Sequence, residues 1–540
     1  MQPGQPHSST ADYDVIIVGA GFSGIYALHR LRALGFSVVV LEAASAAGGT
    51  WFWNRYPGAR CDIQSMVYSY SFDARLEQDW QWSERFARQP EILQYINHVV
   101  ERFDLTPDMQ FNTRVEQAHY DEQEHHWLLV DGNAQQYRAR FCIFATGCLS
   151  VPRLPAIDGL DQFKGNVYHT GEWPHAAVDF SGQQVAVIGT GSSGIQSIPV
   201  IAKQAEHVTV FQRTPNFSTP AWQVPLSADE EQQWKDNYPA IREIARQSQS
   251  GDIYEEASDS IFDHSDEVQQ AELNRRWGQG AFNLQAAFAD LVTDEKANQI
   301  AAGFVHDKIR GRVDDQNIAE LLCPRDHPFG TKRLCVDTDY YETYNRDNVT
   351  LVDISDTPVS AITERGLKFE NVEYQFDAIV FATGFDAMTG ALKQVDIRGK
   401  DGQTLREKWA HGPITYLGLG VSGFPNLFTI TGPGSPSVLT NMMVAIEQHV
   451  DWVVDCLCYL RASEISSIEA SLEAESMWVQ QVDAVARKTL YPQAGSWYMG
   501  ANIPGKPRVF MPYIGGMASY RDICDAIVDK GYQGFILSQE

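Results

Sequence analysis

Residues 14–43 and 184–213 share one design, and it narrows the possible folds more than any other feature of the chain. Each segment opens with a short apolar run, passes a glycine turn, continues at helical spacing and ends on a second apolar run with a charged tip. The turns are Gly19-x-Gly21-x-x-Gly24 and Gly189-x-Gly191-x-x-Gly194, and the tips are Glu42 and Arg213. A strand, a tight turn, a helix and a returning parallel strand begin a doubly wound α/β sheet. A turn without side chains lets the backbone approach a pyrophosphate, and the helix behind it offers free amides and the positive end of its dipole. Two complete units predict two bound dinucleotides on two Rossmann-like domains.

The tips say which. Glu42 can accept hydrogen bonds from ribose hydroxyls, as FAD or NAD requires. Arg213 would neutralise a 2′-phosphate, which favours NADP at the second site. That preference matters because the chain carries 42 basic against 69 acidic residues, a net charge of −27. Such a surface repels nucleic acid and anionic membranes, so any bound anion must be held by local cations.

The rest of the composition is that of an ordinary globular protein, 44% hydrophobic and 21% charged over 540 residues, enough for about three domains. No apolar run reaches bilayer length. The opening MQPGQPHSSTADYD has neither the basic start nor the apolar stretch of a signal peptide, and the eight cysteines include no CxxC pair. A reducing cytoplasm, no membrane association and no metal are expected.

Residues 141–152 and 376–386 are apolar strands ending in Ala-Thr-Gly, where glycine lets the chain turn closely past a ligand. They resemble the strand ends of flavoprotein reductases and monooxygenases that nest one nucleotide domain within another. On that resemblance the FAD domain is 1–150 with 386–540, and the NADP domain is 151–224 with 326–385. Residues 225–325 are polar and read as a helical insertion. Ser227 with Glu230 fits a capping box, and 284–292 and 300–309 carry apolar residues at helical intervals.

Between the first Ala-Thr-Gly and the second glycine turn lies Phe163-Lys-Gly165-Asn-Val-Tyr-His169-Thr-Gly-Glu-Trp173-Pro174. Taken alone, it is a loop with a buried aromatic at each end, and its histidine is either structural or a general base. It resembles the FxGxxxHxxxW(P/D) fingerprint of the Baeyer–Villiger monooxygenases. Gly48, Gly49, Trp51, Tyr56, Pro57, Gly58 and Asp62 match a second pattern of that family. The likeness runs from residue 14 to 513 and looks closest to the phenylacetone and steroid monooxygenase branch. It implies an FAD- and NADPH-dependent enzyme that converts ketones to esters or lactones with O2, through a C4a-peroxyflavin and a Criegee adduct. The family resemblance also implies a monomer, and makes the fingerprint a hinge in which His169 is not a base. The competing reading is a flavin monooxygenase that oxygenates nitrogen or sulfur. A flavin disulfide reductase lacks its cysteine pair here.

Residue roles follow from the same resemblance. Gly19, Gly21, Phe22, Ser23, Gly24, Glu42 and Val115 would contact FAD. Gly49, Thr50, Trp51, Asp62, Tyr68 and Met442 would lie near the flavin. Thr190, Gly191, Ser192, Ser193, Gly194 and Gln196 would cradle NADP, with Trp497 at its ribose. Lys332 and Arg333 are adjacent cations after a glycine turn, which alone could be a solvated pair. By resemblance Lys332 joins Arg213 and Thr214 on the 2′-phosphate, while Arg333 is catalytic and Asp62 is its carboxylate partner. Ser437, Val438 and Leu439 would line the ketone pocket. An arginine suits the role because a permanently charged, planar, multi-donor group stabilises oxyanions where a lysine lacks the fork.

Overall fold

A computed structural model describes residues 12–539. The opening stretch, including most of the polar segment that lacks signal-peptide character, lies outside the described residues.

Both glycine units fold as their sequences dictate. Strand Tyr13–Val18 leads into helix Phe22–Ala33 and then strand Val38–Leu41, paired in parallel with Ile17 opposite Val40. Gln184–Ile188, Ser192–Ala202 and His207–Gln212 repeat the arrangement. The valines and the leucine of Val38–Leu41 are all buried and show no alternation, as a parallel strand covered on both faces requires.

The first unit sits in an eight-stranded sheet. Its strands run Asp396–Arg398, Val115–Asp121, His126–Asp131, Gln136–Phe144, Tyr13–Val18, Val38–Leu41, Met109–Gln110, with Leu427–Thr429 also paired to Gln136–Phe144. The second sheet is wholly parallel, in the order Val349–Asp353, His207–Gln212, Gln184–Ile188, Ala378–Phe381, Asn166–His169. The chain leaves the first sheet after Phe144, enters the second at Asn166, leaves it after Phe381 and rejoins the first at Asp396. The long helix Met442–Ala462 then packs on Phe22–Ala33 and closes the core beneath the first sheet.

The Ala-Thr-Gly segments owe their composition to this geometry. A Cβ on Gly19 would lie 2.6 Å from the Ala145 carbonyl oxygen, and one on Gly189 would lie 2.5 Å from that of Ala382. Each strand end therefore presses against the glycine turn beside it.

Residues 225–325 hold four α-helices, Ala228–Gln247, Asp266–Gln279, Glu295–Arg310 and Gln316–Leu322. The first has the full Ser227–Glu230 capping box. The expected helix over 284–292 is instead a 3-10 turn, Ala281–Ala286, followed by irregular chain. Its apolar residues are buried, but Asp294 caps the next helix and the Asn298 side-chain amide donates to the Leu291 carbonyl, 2.6 Å away, which ends the run. The fingerprint also departs from a plain loop: Asn166–His169 is the edge strand of the second sheet, and a Cβ on Gly165 would meet the Asp377 carbonyl at 2.3 Å. An antiparallel meander over residues 115–144 and a small hairpin sheet over 361–375 went unread in the sequence.

Candidate functional site

Helices Phe22–Ala33 and Ser192–Ala202 both begin at a glycine N-cap, Gly21 and Gly191, that supplies no side-chain bond. Elsewhere Asp73, Ser227, Asp294 and Asp315 cap helices with their side chains. The two glycine-turn helices thus keep their first amides free for an anion. A Cβ on Gly24 would fall 1.9 Å from the Gly19 carbonyl oxygen, and one on Gly49 would fall 2.9 Å from the Gly21 Cα. The backbone is cradle-like where a pyrophosphate would lie, so the residues fit the two dinucleotides.

Glu42 stands at its strand tip, 6% exposed. One carboxylate oxygen accepts from the Ala20 amide at 2.6 Å and the other from Ala44 at 2.7 Å. Burial raises its pKa against the pull of these bonds. The side chain thus braces the first glycine turn and retains lone pairs for a ribose. Val115 begins its strand two residues beyond Thr113, whose amide donates to the Glu42 carbonyl, but its side chain lies in the core.

Trp51 is buried on the short helix Thr50–Trp53, and its indole nitrogen donates to the Tyr68 hydroxyl at 3.2 Å. Thr50 is exposed, while Phe22 meets Tyr68 edge-on at 5.6 Å. Ser23 is buried. Met442 opens its helix behind Asn441, which caps it and donates to the Val67 carbonyl at 3.0 Å.

The segment 56–62 explains its own motif. Gly58 has φ +84°, and a Cβ there would sit 2.3 Å from the Gln196 carbonyl oxygen. Only glycine lets the strand-helix unit of the second sheet come this close. The Tyr56 hydroxyl donates to the Gln196 amide oxygen at 2.8 Å, and the Gln196 amide nitrogen donates to the Arg60 carbonyl at 3.2 Å. Both ends of Gln196 are therefore spent on tying the two halves together, and Ser193 beside it partly offsets the burial that raises the Tyr56 pKa.

This tie delivers Asp62 to Arg333, 271 residues away in the chain. Arg333 Nε and Nη2 donate to the two Asp62 oxygens at 3.0 and 2.9 Å, the parallel fork available only to arginine. Nη1 donates to the Val438 carbonyl at 2.9 Å, and the guanidinium lies 4.5 Å from the Phe282 ring centroid. Burial opposes the charge, but the attraction and hydrogen bonds of Asp62 outweigh it, so the Arg333 pKa is raised overall. Both side chains remain about a quarter exposed, 23% and 25%.

The loop that holds Arg333 is bound from below. Ser437 is fully buried in the left-handed region, φ +44°, its hydroxyl 3.2 Å from the Thr431 carbonyl and 3.0 Å from Cys148 Sγ. It fixes the loop, while the half-buried Leu439 is the more open neighbour. Trp497 is half-buried, and the adjacent Tyr498 lies within the electrostatic reach of Arg333.

On the second unit, the Thr190 hydroxyl donates to the Thr214 carbonyl at 2.9 Å and Ser192 Oγ lies 3.3 Å from Cys335 Sγ. Arg213 is exposed. Lys332 pairs with Asp326 at 3.2 Å, and its pKa is lowered by burial, with the Arg213 charge also pushing it down. His169 accepts the Gly171 amide at Nδ1, 2.9 Å, and its Nε2 meets the Arg153 carbonyl at 3.2 Å. Burial lowers its pKa, so it stays a neutral brace. Trp173 is buried and stacks on Tyr168 at 5.1 Å, Phe163 packs in the cluster beside the hairpin sheet, and Pro174 is exposed.

Sequence reasoning missed the contribution of the helical insertion. Asp252 is 1% exposed, with one carboxylate oxygen bonded to the Ile253 amide and the other without a partner. Burial lifts its pKa to about 7, with Arg333 pulling the other way. Tyr254, two residues on, has a buried, unpartnered hydroxyl and packs edge-on against Phe282. No local pattern in 249–258 signals this, because the neighbours come from distant segments.

Residues 16–272 match the family model of the pyridine nucleotide-disulphide oxidoreductases. The chain is 39% identical to a Baeyer–Villiger monooxygenase of Pseudooceanicola batsensis, over 97% of this chain and 96% of the relative. It is 40% identical to a phenazine N-monooxygenase of Lysobacter antibioticus, over 98% and 97%. Among solved structures, an oxidized steroid monooxygenase bound to NADP superposes with a TM-score of 0.94 at 49% identity, over 98% of this chain and 100% of that one. Among the described residues no helix is long and apolar enough to cross a membrane.

Proposed function

The chain belongs to the Baeyer–Villiger monooxygenases, FAD- and NADP-dependent flavoproteins, and from that membership we propose that Arg333, held by Asp62, is the residue that carries its oxygenation of ketones. The reaction inserts one atom of O2 beside a ketone carbonyl and yields an ester or lactone, with NADPH as reductant. The observation behind the assignment is the two-pronged Arg333–Asp62 bond where the two glycine-turn units meet.

FAD reduced by NADPH supplies the activation of O2. The chain supplies charge and shape. Addition of an oxygen nucleophile to a carbonyl places negative charge on the carbonyl oxygen, and a guanidinium that keeps its proton offsets that charge without proton transfer. Arg333 spends three of its five N–H donors on Asp62 and Val438, leaving two for reacting oxygens. Asp62 fixes the plane of the fork, and the Phe282 face covers one side of it.

The first glycine turn with Glu42 would hold the FAD pyrophosphate and ribose, and Trp51, Tyr68 and Met442 would border the flavin. The second turn, with Thr190 to Gly194, would hold NADP, and Arg213, Thr214 and Lys332 its 2′-phosphate. On this reading residues up to 150 and from 386 form the FAD domain, and the NADP domain between them carries the insertion. Val438 and Leu439 would border the ketone. The protein works as a monomer in a reducing cytoplasm on this reading, for which its free cysteines, seven of them buried, are suited.

The test is an aerobic incubation of the FAD-loaded protein with NADPH and, separately, a panel of aryl, cyclic and steroid ketones, a panel of amines and a panel of sulfides. The expected product is an ester or lactone, one per NADPH consumed. Oxides of amines or sulfides with every ketone untouched would move the assignment to heteroatom oxygenation. Hydrogen peroxide alone across all three substrate classes would refute oxygenation.

A further inference from the structure

Arg153 enters neither of the motifs that define the cofactor sites. Its backbone is pinned beside the second glycine turn. The Arg153 amide donates to the Gly384 carbonyl at 2.9 Å, and the Asp386 amide donates to the Val151 carbonyl at 2.9 Å. Ala382, at the start of the same strand end, presses on Gly189. On the other flank of that turn, Thr190 binds the Thr214 carbonyl, which sets Arg213 in place. Arg153 and Arg213 therefore flank one turn, Arg153 on the segment bonded to the chain that follows strand Ala378–Phe381 and Arg213 directly after His207–Gln212.

Among the described residues neither charge is held in an ion pair. Burial first, and the Arg213 charge second, push the Arg153 pKa down, and Asp386 alone opposes them. Yet Asp386 is already taken, with Lys506 Nζ 2.6 Å from its carboxylate. Asp326 is likewise shared by Lys332 and His327. Among the described residues neither the Arg153 nor the Arg213 side chain has an ion pair or hydrogen bond. In a chain of net charge −27, two arginines beside one turn, neither bonded to a carboxylate, are a cost that a doubly charged anion would remove.

We propose that Arg153 is a third cation of the NADP site, gripping the 2′-phosphate from the Ala382–Gly384 side while Arg213 grips it from the other. The fingerprint then gains a positioning role, because His169, through its Nε2 bond to the Arg153 carbonyl, sets where that cation stands. The inference rests on the reading of the second turn as the NADP site.

The experiment is calorimetric titration of the FAD-loaded protein with NADP+, NAD+ and the fragment 2′,5′-ADP. Arg153→Ala should weaken NADP+ and 2′,5′-ADP by about tenfold, the worth of one charge-assisted hydrogen bond, and NAD+ by less than about twofold. Arg153→Lys should recover most of the loss. Unchanged NADP+ affinity in Arg153→Ala, with Arg213→Ala weakened, would overturn the inference and leave the NADP site intact. Equal losses for NAD+ and NADP+ would also overturn it, since the contact would then lie elsewhere on the dinucleotide. Unchanged 2′,5′-ADP binding in Arg213→Ala would refute the site reading itself, and the inference with it. An unaltered flavin spectrum and melting temperature show that each variant is folded.

Discussion

Replacing Arg333 by lysine keeps the charge and removes the fork, and so separates the two properties the site needs. Arg333 makes three directed bonds, two to Asp62 and one to Val438, and lies over Phe282. A lysine nitrogen sits at one point and can keep at most one of these geometries without moving the loop. Two charge-assisted bonds at about 1.5–3 kcal/mol each would be lost; because both partners are about a quarter exposed, solvent reduces the effective loss to about 3 kcal/mol. Misdirected positive charge at the reacting oxygen should therefore slow ester formation about 10²-fold. The assay is paired: anaerobic bleaching of the flavin by NADPH, and ester formed per NADPH in air. Flavin bleaching should fall by less than about tenfold, and NADPH oxidation should divert into hydrogen peroxide. Ester formation at the wild-type rate in Arg333→Lys would refute the reasoning. An equal loss in both halves would show that Arg333 positions cofactor and does not serve the oxygenation.

Three further outcomes are expected. Gly58→Ala forces a side chain onto the Gln196 carbonyl at 2.3 Å and should cost roughly 2–4 kcal/mol, seen as a lower melting temperature together with weaker ketone turnover; an unchanged melting temperature would contradict the close approach. Arg213→Ala and Lys332→Ala should each raise KM for NADPH and narrow its advantage over NADH, and an unaltered preference would remove both residues from the 2′-phosphate. Asp252→Asn should stabilise the fold increasingly with pH. The folded carboxyl has a pKa of about 7 against an ordinary value of 3.8, so the cost of charging it grows as pH rises between these values and is complete above them. The gain in stability at about pH 8 should exceed that at about pH 5 by about 3 kcal/mol, and a gain that shrinks with rising pH would contradict the raised pKa.

The features legible in the sequence were those in which one segment encodes its own geometry. The glycine turns, their charged tips and the Ser227 capping box depend on residues within about twenty positions of one another, and each has a steric or electrostatic reason to be spelled as it is. Asp62 and Arg333 could be paired only by resemblance, because nothing local links positions 271 apart. The Phe282 face, the Asp252 carboxyl and the Val438 carbonyl were harder still: the first two resemble any buried aromatic and acid, and a backbone carbonyl carries no sequence signal. The stretch 284–292 misled because helical spacing of apolar residues also suits a compact 3-10 turn against a core. The meander over 115–144 went unread although it carries a local signal, alternate residues packed inward and a turn through Asp131-Gly132-Asn133.

The most direct test of the central claim is turnover of an accepted ketone under isotopically labelled O2, with the product read by mass spectrometry. Insertion of oxygen beside the carbonyl predicts an ester or lactone carrying one labelled atom at the bridging oxygen, so that saponification leaves the label on the alcohol of an ester or on the hydroxyl of the hydroxy acid from a lactone, and none on the carboxylate. An unlabelled product, or label confined to hydrogen peroxide, would contradict it.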